Sequence, residues 1–282
     1  MKHSFFKIYL IFIFAASSCT SKSLPFTSTP IEDLTLPTHV NLNTTSSPSN
    51  TQTATVFPVN TLESDLGKKQ FMAFLQGSSE CETPCFLGIM PDKTTINEAQ
   101  NIVSHLNLIL ENTNTVNETK YYYLYIVLDD DMSTGVTLAV ENDIVKNINI
   151  GITPNRQSKL NHANWSAYSP DTLISRYGTP SSVTFEAFGS TYPSYEMVMY
   201  FNKVNLIVYY SSRDISPEWQ ICPLADQMEF VNVWIGKNPD YPPPSFPASL
   251  EKATSMTMEE FAKAMTGDPN NACFELKPDM FP

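Results

Sequence analysis

The chain has 282 residues, with 17 Lys and Arg against 29 Asp and Glu, and its formal net charge at neutral pH is −12. Such an acidic surface disfavours nucleic acid as a partner and disfavours electrostatic adhesion to anionic lipid. Glycine is scarce, at 9 residues, and the sequence has no Gly-rich loop of the kind that holds phosphate, so no cofactor is predicted.

The first 18 residues have the pattern of a signal peptide. Lys2 and Lys7 precede an apolar run over 8–16 that is too short to span a bilayer, and small residues lead from there to Cys19. This arrangement resembles the bacterial lipobox, in which the cysteine thiol takes a diacylglycerol and becomes the mature N-terminus. The resemblance implies a membrane partner through the lipid and a place on the extracytoplasmic side of the cell envelope. An ordinary cleaved signal with an incidental cysteine is the alternative.

Residues 19–60 are rich in Ser, Thr, Pro and Asn and contain few apolar side chains. Such a segment cannot bury enough apolar surface to offset the entropy of ordering it, and we predict a flexible tether. Removal of residues 1–18 takes the formal charge from −12 to −14, because Lys2 and Lys7 are lost. About 220 residues follow the tether, enough for one sizeable core or two small ones.

Four cysteines remain after Cys19, namely Cys81, Cys85, Cys222 and Cys273. An even number of cysteines in an exported chain indicates two disulfides, for which three connectivities exist. We favour Cys81–Cys85, which closes a tight loop, and Cys222–Cys273, which staples the C-terminal segment. Zinc is the rival interpretation, but the Cys-x3-Cys spacing has no matching second pair, so no metal is predicted.

Residues 61–160 are predicted to form a first α+β unit. A helix over 62–76 places Leu66 and Phe71 on its apolar face. A second helix begins at Thr95, because Thr95 and Glu98 form a capping box that satisfies backbone N–H groups at the helix start. Aromatic and β-branched residues predict a strand over 121–128 and a hairpin of strands 136–140 and 144–152, with its turn at Asn142 and Asp143.

Residues 161–282 are predicted to form a second unit with a Pro-rich C-terminal extension. Ser169 and Pro170 begin a short helix, and Gly178 ends it. The elements that follow are a strand over 182–188, a hairpin of strands 195–201 and 204–210 turning at 202–203, a strand over 230–236, an extended segment over 239–247 and a helix from Thr257, capped with Glu260. Each unit has the order helix, strand, hairpin. We therefore predict an α+β fold, an antiparallel sheet with helices packed on one face, in two tandem units.

Two short motifs carry a resemblance to known families. Gly88-Ile89-Met90-Pro91 before Thr94-Thr95-x-x-Glu98, and Leu173-x-x-Arg176-Tyr177-Gly178-x-Pro180 before a strand, resemble helix-to-strand elements of the SmpA/OmlA-type outer-membrane lipoproteins and of the β-lactamase-inhibitor-protein fold. The chain is also similar to a wider set of bacterial lipoproteins that share its Cys-x-x-Pro-Cys-Phe loop at 81–86. The resemblance, within 81–211, implies a non-catalytic interaction module and assigns no functional residue.

Histidine and acidic clusters give little support to catalysis or metal binding. His105 falls near a helix end and His162 in a polar linker, and no Gly-x-Ser-x-Gly motif accompanies them. Asp129, Asp131 and Ser133 alternate as the first oxygen ligands of a calcium loop do, but Thr134 and Val140 stand where Gly and Glu are needed. We therefore predict a solvated turn at this cluster.

Glu186 and Glu196 lie on neighbouring predicted strands, where paired carboxylates could hydrolyse a glycosidic bond. Three tryptophans could stack on sugars, namely Trp165, Trp219 and Trp234. Carboxylates on strands usually face solvent, however, and tryptophan usually belongs to a core or an interface. The strands are also rich in tyrosine, so the sheet face away from the helices is either covered by segment 239–247, which we favour, or a binding surface.

The sequence thus predicts a membrane-anchored, extracytoplasmic lipoprotein that acts as a non-enzymatic binding or scaffold module for an envelope protein or a cell-wall component. The alternative function is an envelope glycan hydrolase that uses paired carboxylates. Two carboxylates meeting in one cleft beside a tryptophan would favour the hydrolase.

Overall fold

In a computed structural model of the chain, the structure describes residues 64–77, 81, 84–128, 132–154, 160, 162–188, 194–213, 215, 219–224, 228–237, 247–268 and 272–277. Cys19, the predicted signal peptide and tether, the three aspartates at 129–131 and most of the Pro-rich segment lie outside these residues. Within the described ranges, no helix has the length and apolar character needed to cross a bilayer.

The described helices are α1 (Ser64–Leu75), α2 (Ile96–His105), α3 (Pro170–Tyr177), α4 (Leu250–Thr254) and α5 (Met258–Thr266). Local sequence signals explain where three of these helices begin and where one of them ends. Thr95 caps α2 and Thr257 caps α5, and both capping boxes are complete. Pro170 occupies the first turn of α3, and Gly178 ends that helix with a φ of 78°. In α1, Phe71 is fully buried, whereas Leu66 is 44% exposed and does not belong to the apolar face predicted for it.

The described strands are β1 (Glu111–Val116), β2 (Thr119–Val127), β3 (Met132–Glu141), β4 (Ile144–Pro154), β5 (Ser182–Phe188), β6 (Ser194–Phe201), β7 (Leu206–Ser212), β8 (Gln220–Ile221), β9 (Met228–Gly236), β10 (Ala248–Ser249) and β11 (Phe274–Glu275). Nine of them form one antiparallel sheet in the order β1-β2-β3-β4-β9-β7-β6-β5-β10, and β8 pairs with β11. The fold is therefore mixed α and β and is built mainly on an antiparallel sheet. The strands of both predicted units, 61–160 and 161–282, belong to this one sheet, because β9 pairs with β4 of the first unit and with β7 of the second.

The turns differ in how well they follow the prediction. The hairpin of β3 and β4 turns at Asn142 and Asp143, both with positive φ, as expected. The hairpin of β6 and β7 was predicted to turn at 202–203, which is wrong by two residues. A short 3-10 helix at Asn202–Val204 occupies this turn, followed by Asn205 in the left-handed conformation. A longer turn places the start of β7 at Leu206.

The two faces of the nine-stranded sheet have different compositions. Successive side chains of a strand point to opposite faces. On one face the side chains are apolar and buried, as the members Leu124, Val136, Ile150, Val208 and Val233 illustrate. We call this the core face. The residues between them form what we call the amide–aromatic face, whose members include Tyr121, Tyr123, Tyr125, Val127, Gly135, Thr137, Ala139, Asn147, Asn149, Gly151, Glu186, Glu196, Val198, Tyr209, Phe230, Asn232 and Trp234.

Both expected disulfides are formed. Cys81 pairs with Cys85 across four positions, and Cys222 pairs with Cys273 across 51 positions. The second bond directly adjoins the pairing of β8 with β11, in which Ile221 lies opposite Phe274. It therefore links two short strands that are far apart along the chain.

Candidate functional site

A concave cavity of about 310 Å³ lies in the amide–aromatic face, over strands β2, β3, β4 and β9. Its volume is at the lower end of the range for sites that bind small molecules. The lining residues are Tyr121, Thr137, Ala139, Asn147, Asn149, Asn232 and Trp234. None of these side chains is charged near neutral pH, and together they offer amide, hydroxyl and aromatic groups.

The register of the strands places these side chains in rows across the sheet. One row runs from Trp234 through Asn149 and Thr137 to Tyr123, each residue lying opposite the next on neighbouring strands. An adjoining row brings Asn147 opposite Ala139, and Ala139 opposite Tyr121. The floor of the cavity is therefore made by β3 and β4, and an aromatic residue stands on each side of it.

Hydrogen bonds fix the orientation of the amides. Asn149 Nδ2 donates to Asn232 Oδ1 at 2.8 Å, which leaves the Oδ1 acceptor of Asn149 and the Nδ2 donors of Asn232 for another partner. In the amide orientation that satisfies its neighbours, Asn147 Nδ2 donates to the carbonyl oxygens of Lys146 at 3.0 Å and Lys237 at 2.9 Å. The amide groups are thus positioned before any ligand arrives, which lowers the entropic cost of binding.

Two paired glycines lie next to aromatic residues beside the cavity. Gly135 and Gly151 are direct partners on β3 and β4. A Cβ atom at Gly135 would lie 2.7 Å from Tyr123 Oη and 3.1 Å from the ring, and a Cβ at Gly151 would lie 3.7 Å from the Phe230 ring. Tyr123 therefore occupies the space that a side chain at position 135 would need, whereas a Cβ at position 151 would make only ordinary van der Waals contact with the Phe230 ring.

Exposure of the amide–aromatic face changes from one edge to the other. On β2, Tyr123, Tyr125 and Val127 are exposed, and Tyr125 most of all at 56%. On β6 and β5, Val198 is fully buried and Glu186 is only 5% exposed. The face is thus open to solvent at β2 and closed near β5. Segment 239–247, which was expected to cover the face, lies outside the described residues except for Pro247.

Glu186 and Glu196 are direct partners on β5 and β6, a relation that places their Cβ atoms about 5 Å apart. Since Glu186 is buried, the expectation that both carboxylates face solvent is wrong for this residue. Burial raises the pKa of Glu196, and together with the charge of Glu186 it outweighs the hydrogen bond from Tyr209, which lowers that pKa. Neither carboxylate lines the cavity, and strand spacing places Trp234 roughly 16 Å from Glu196.

His162, Asp171 and Ser169 lie together where α3 begins. His162 Nε2 is 3.6 Å from Asp171 Oδ1, and Ser169 Oγ is in hydrogen-bonding contact with the same oxygen. Burial acts to raise the pKa of Asp171, but His162, the Ser169 hydroxyl and the Thr172 N–H together outweigh it and hold that pKa below its ordinary value. A nucleophilic triad needs the imidazole between the carboxylate and the hydroxyl. Here the carboxylate is central and Ser169 is fully buried, so the cluster anchors α3.

The other predicted candidates do not assemble into a site. His105 Nδ1 contacts the carbonyl of Asn101 at 2.8 Å, within its own helix. Trp165 is fully buried against Tyr210, with ring centroids 5.7 Å apart, and cannot stack on a sugar. Ser133, the third oxygen of the calcium hypothesis, is buried in β3 and shares a hydrogen bond with Thr153. The aspartates at 129–131 lie outside the described residues.

Sequence reasoning found Trp234, Tyr121 and the tyrosines of β2 but missed the asparagines of the cavity. The available signal was the alternation of Asn147 and Asn149 with isoleucines in β4, because amides at every second position of a strand mark a face that is not core. The partner Asn232 comes from β9, 83 positions away from Asn149, and no local pattern connects them.

No family model, no curated protein and no solved structure matches the chain.

Proposed function

We propose that the chain is a lipid-anchored protein of the cell envelope, facing the extracytoplasmic side, whose folded region is a non-enzymatic binding module. The observation that carries the proposal is the cavity of about 310 Å³ with positioned amides and two aromatic sides. Concave sites that combine apolar walls with a few oriented polar groups are the usual form of a binding site. The lipobox-like sequence before Cys19 supports the membrane anchor.

The exposed side chains next to the cavity extend the proposed binding surface. Tyr123, Tyr125 and Val127 follow one another on the same face of β2 and are all exposed. Contiguous exposed apolar side chains are uncommon on a protein without a partner, and tyrosine is enriched at interfaces. The proposed surface therefore includes the cavity and the outer side of β2.

We further propose that the helices all pack on the core face, which keeps the amide–aromatic face for ligands. Contacts of two helices support this arrangement. The ring centroids of Tyr177 in α3 and Phe201 in β6 are 6.0 Å apart. The ring centroids of Phe261 in α5 and Phe274 are 5.9 Å apart. Phe274 in turn contacts Phe185 of β5. A tandem arrangement is supported by the order of the sheet, because β9 lies between two segments, β1–β4 after α2 and β5–β7 after α3.

A variant that fills the cavity tests the binding function. Thr137 lies on the floor of the cavity in β3 and is partly exposed, so Thr137→Trp should occupy the space while the strand is retained. The mature chain with Cys19→Ser, which cannot be lipidated, is sedimented with isolated cell walls and with membrane vesicles. We expect binding to one fraction and a loss of at least tenfold in Thr137→Trp. Thr115→Trp, the same exchange on the exposed strand β1, should bind like the parent protein. No binding to either fraction, or equal binding of both variants, would contradict the proposal.

A glycan hydrolase is the second candidate, because Glu186 and Glu196 are direct cross-strand partners and the pKa of Glu196 is raised. Burial of Glu186 and the distance to Trp234 weigh against it. The discriminating measurement is turnover of peptidoglycan and model glycosides by the mature Cys19→Ser chain, with Glu186→Gln and Glu196→Gln for comparison. Turnover that disappears in either glutamine variant would establish the hydrolase in place of the binding module.

A further inference from the structure

We infer that the ligand of the cavity is an uncharged polysaccharide, with one sugar ring inside the cavity and further rings along β2. This inference rests on the proposed binding function and specifies the chemistry of its ligand. It follows from three properties of the described residues: the charge of the cavity, its hydrogen-bonding groups, and the positions of the neighbouring aromatic residues.

The charge of the cavity selects a neutral ligand. None of the lining residues is charged near neutral pH. The charged groups next to Asn147 balance, because Lys146 and Lys237 share an adjoining pocket with Asp92 and Glu141. Lys146 lies 2.9 Å and Lys237 lies 3.9 Å from the carboxylate of Asp92. An anion would have to be desolvated without a cationic partner, against a chain of formal charge −12. A cation would enter without a carboxylate in the lining to receive it.

The hydrogen-bonding groups of the cavity fit hydroxyl groups. The bond between Asn149 and Asn232 leaves an acceptor on the first and donors on the second. The hydroxyl of Thr137 can both donate and accept a hydrogen bond. A sugar hydroxyl also donates and accepts, so neighbouring hydroxyls of one ring can satisfy these groups together. A site built to hydrogen-bond hydroxyls discriminates strongly against ligands that lack them.

The aromatic residues fit the apolar faces of sugar rings. Trp234 and Tyr121 stand on opposite sides of the floor, on β9 and β2. A pyranose carries C–H groups on its faces and hydroxyls around its edge, so it can contact aromatic walls and amide groups at once. An apolar ligand would leave the amides without hydrogen-bonding partners, which disfavours its binding. Trp234 is 7% exposed, so we place the main stacking surface on the tyrosines of β2.

Tyr123 and Tyr125 give the site the length that a polymer requires. Alternate residues of a strand are about 7 Å apart, so Tyr121, Tyr123 and Tyr125 form a line of roughly 13 Å. The hydroxyl end of Tyr123 lies over Gly135, and the residue is 38% exposed. Tyr123 and Tyr125 are therefore both accessible to a ligand that extends beyond the cavity. The cavity holds one sugar, and the tyrosines hold the sugars that follow it.

Affinity gels and a glycan array test this inference with the mature Cys19→Ser chain. The probes are uncharged polysaccharides (glucans, mannans, xylans and galactans), N-acetylglucosamine oligomers, and the acidic polymers polygalacturonate and hyaluronate. We expect retardation by at least one uncharged glycan and by neither acidic polymer. Thr137→Trp and Tyr123→Ala should each weaken that binding at least tenfold, while Thr115→Trp should leave it unchanged.

The outcomes separate this inference from the proposed function. If Thr137→Trp abolishes sedimentation with an envelope fraction but no uncharged glycan binds, the proposed binding function is supported and the inference that the ligand is an uncharged polysaccharide is wrong. Binding of a peptide, or of an acidic polymer, at the same cavity would also contradict that inference. If neither an envelope fraction nor a glycan binds, both proposals fail.

Discussion

Like charges placed opposite one another on neighbouring strands destabilise a sheet, and Glu186 and Glu196 are such a pair. The repulsion between the two carboxylates is reduced when one of them is protonated. Protonation of Glu196 is favoured, because burial and the charge of Glu186 raise its pKa. A raised pKa means that the protonated carboxyl is favoured in the folded state. The pair therefore makes the stability of the fold depend on pH.

Replacing Glu196 by Gln should stabilise the protein at neutral pH. The pKa of Glu196 in the folded state lies above its ordinary value of 4.5. The stabilisation that comes from the protonated carboxyl is therefore fully present below pH 4.5. This contribution is lost as the pH rises through the folded pKa. Glu196→Gln removes the ionisation, and we expect a Tm higher by on the order of 2 °C at pH 7. Thermal denaturation followed by circular dichroism from pH 3.5 to pH 8 should show the two curves converging below pH 4.5.

Glu260 provides a control of opposite sign. Its pKa is lowered by hydrogen bonds from the backbone and the side chain of Thr257, so its contribution is present above the ordinary pKa and lost in acid. Glu260→Ala should lower the Tm at pH 7 and have a smaller effect at pH 3.5. A Glu196→Gln curve that ran parallel to the parent at all pH values would refute the assignment of the raised pKa.

Residue-level features could be predicted from sequence where they are local. The capping boxes of Thr95 and Thr257 each connect residues three positions apart and are present as expected. The contact of Asn149 with Asn232 was not predicted, because it depends on two strands meeting in the sheet. Glu186 and Glu196 were placed on neighbouring strands correctly, but burial of Glu186 depends on whatever lies above the sheet and has no local signature.

At the scale of elements, the close approach of α1 to the end of α2 depends on one glycine. A Cβ atom at Gly67 would collide with the backbone carbonyl of Leu106, the residue that caps α2 at its C-terminal end. A backbone atom cannot move aside as a flexible side chain can. The absence of a side chain at position 67 therefore sets how closely the two helices pack.

We predict that Gly67→Ala destabilises the fold, although alanine is the better helix former. Helix propensity alone would favour alanine by about 1 kcal/mol, whereas overpacking against backbone costs about 1–3 kcal/mol. We expect a net loss of roughly 1 kcal/mol in urea unfolding. Gln70→Ala, on the exposed side of the same helix, should change stability by less than about 0.5 kcal/mol. A Gly67→Ala protein more stable than the parent would show that α1 does not approach α2 in this way.

Elements with strong periodicity were predicted well, and elements without it were missed. β5 was predicted with its observed bounds, because aromatic and β-branched residues fill it. β1 was missed because all six of its residues are exposed and only one is apolar, so no alternation marks it. Its hairpin with β2 turns at Asn117 and Glu118, both with positive φ, and a Glu at this position is not a usual turn signal.

At the scale of the whole molecule, the order of the strands could not be read from the sequence. The hairpins were predicted because their strands are neighbours along the chain. β9 follows β7 and β8 along the chain but lies between β4 and β7 in the sheet, and it joins the two predicted units. Such a placement depends on long-range pairing that competes with many alternatives of similar local quality. The cavity depends on the same placement, since β9 supplies Asn232 and Trp234.

The two disulfides should contribute unequally to stability. Cross-linking lowers the entropy of the unfolded chain more when the closed loop is longer. Cys222–Cys273 spans 51 positions and Cys81–Cys85 spans four, which corresponds to about 4 and about 2 kcal/mol respectively. Urea unfolding of the two paired alanine variants should therefore show the greater loss for Cys222→Ala with Cys273→Ala. Equal losses, or a greater loss for the short loop, would show that loop entropy does not determine their contribution.

We propose that a lipid at Cys19 anchors this molecule to a membrane, and removal of that lipid should release the protein. No helix in the described ranges is long and apolar enough to cross a bilayer, and a chain of formal charge −12 is repelled by anionic lipid. We therefore expect Cys19→Ser to move the protein from the membrane fraction to the soluble extracytoplasmic fraction.

Cys19→Ser also blocks the cleavage of a lipoprotein signal, and an uncleaved apolar run could hold the precursor at the membrane. The matched control replaces residues 1–18 with an ordinary cleavable signal, and mass spectrometry of the N-terminus establishes that cleavage has occurred. Full membrane retention of that cleaved, unlipidated chain would exclude the lipid as the anchor.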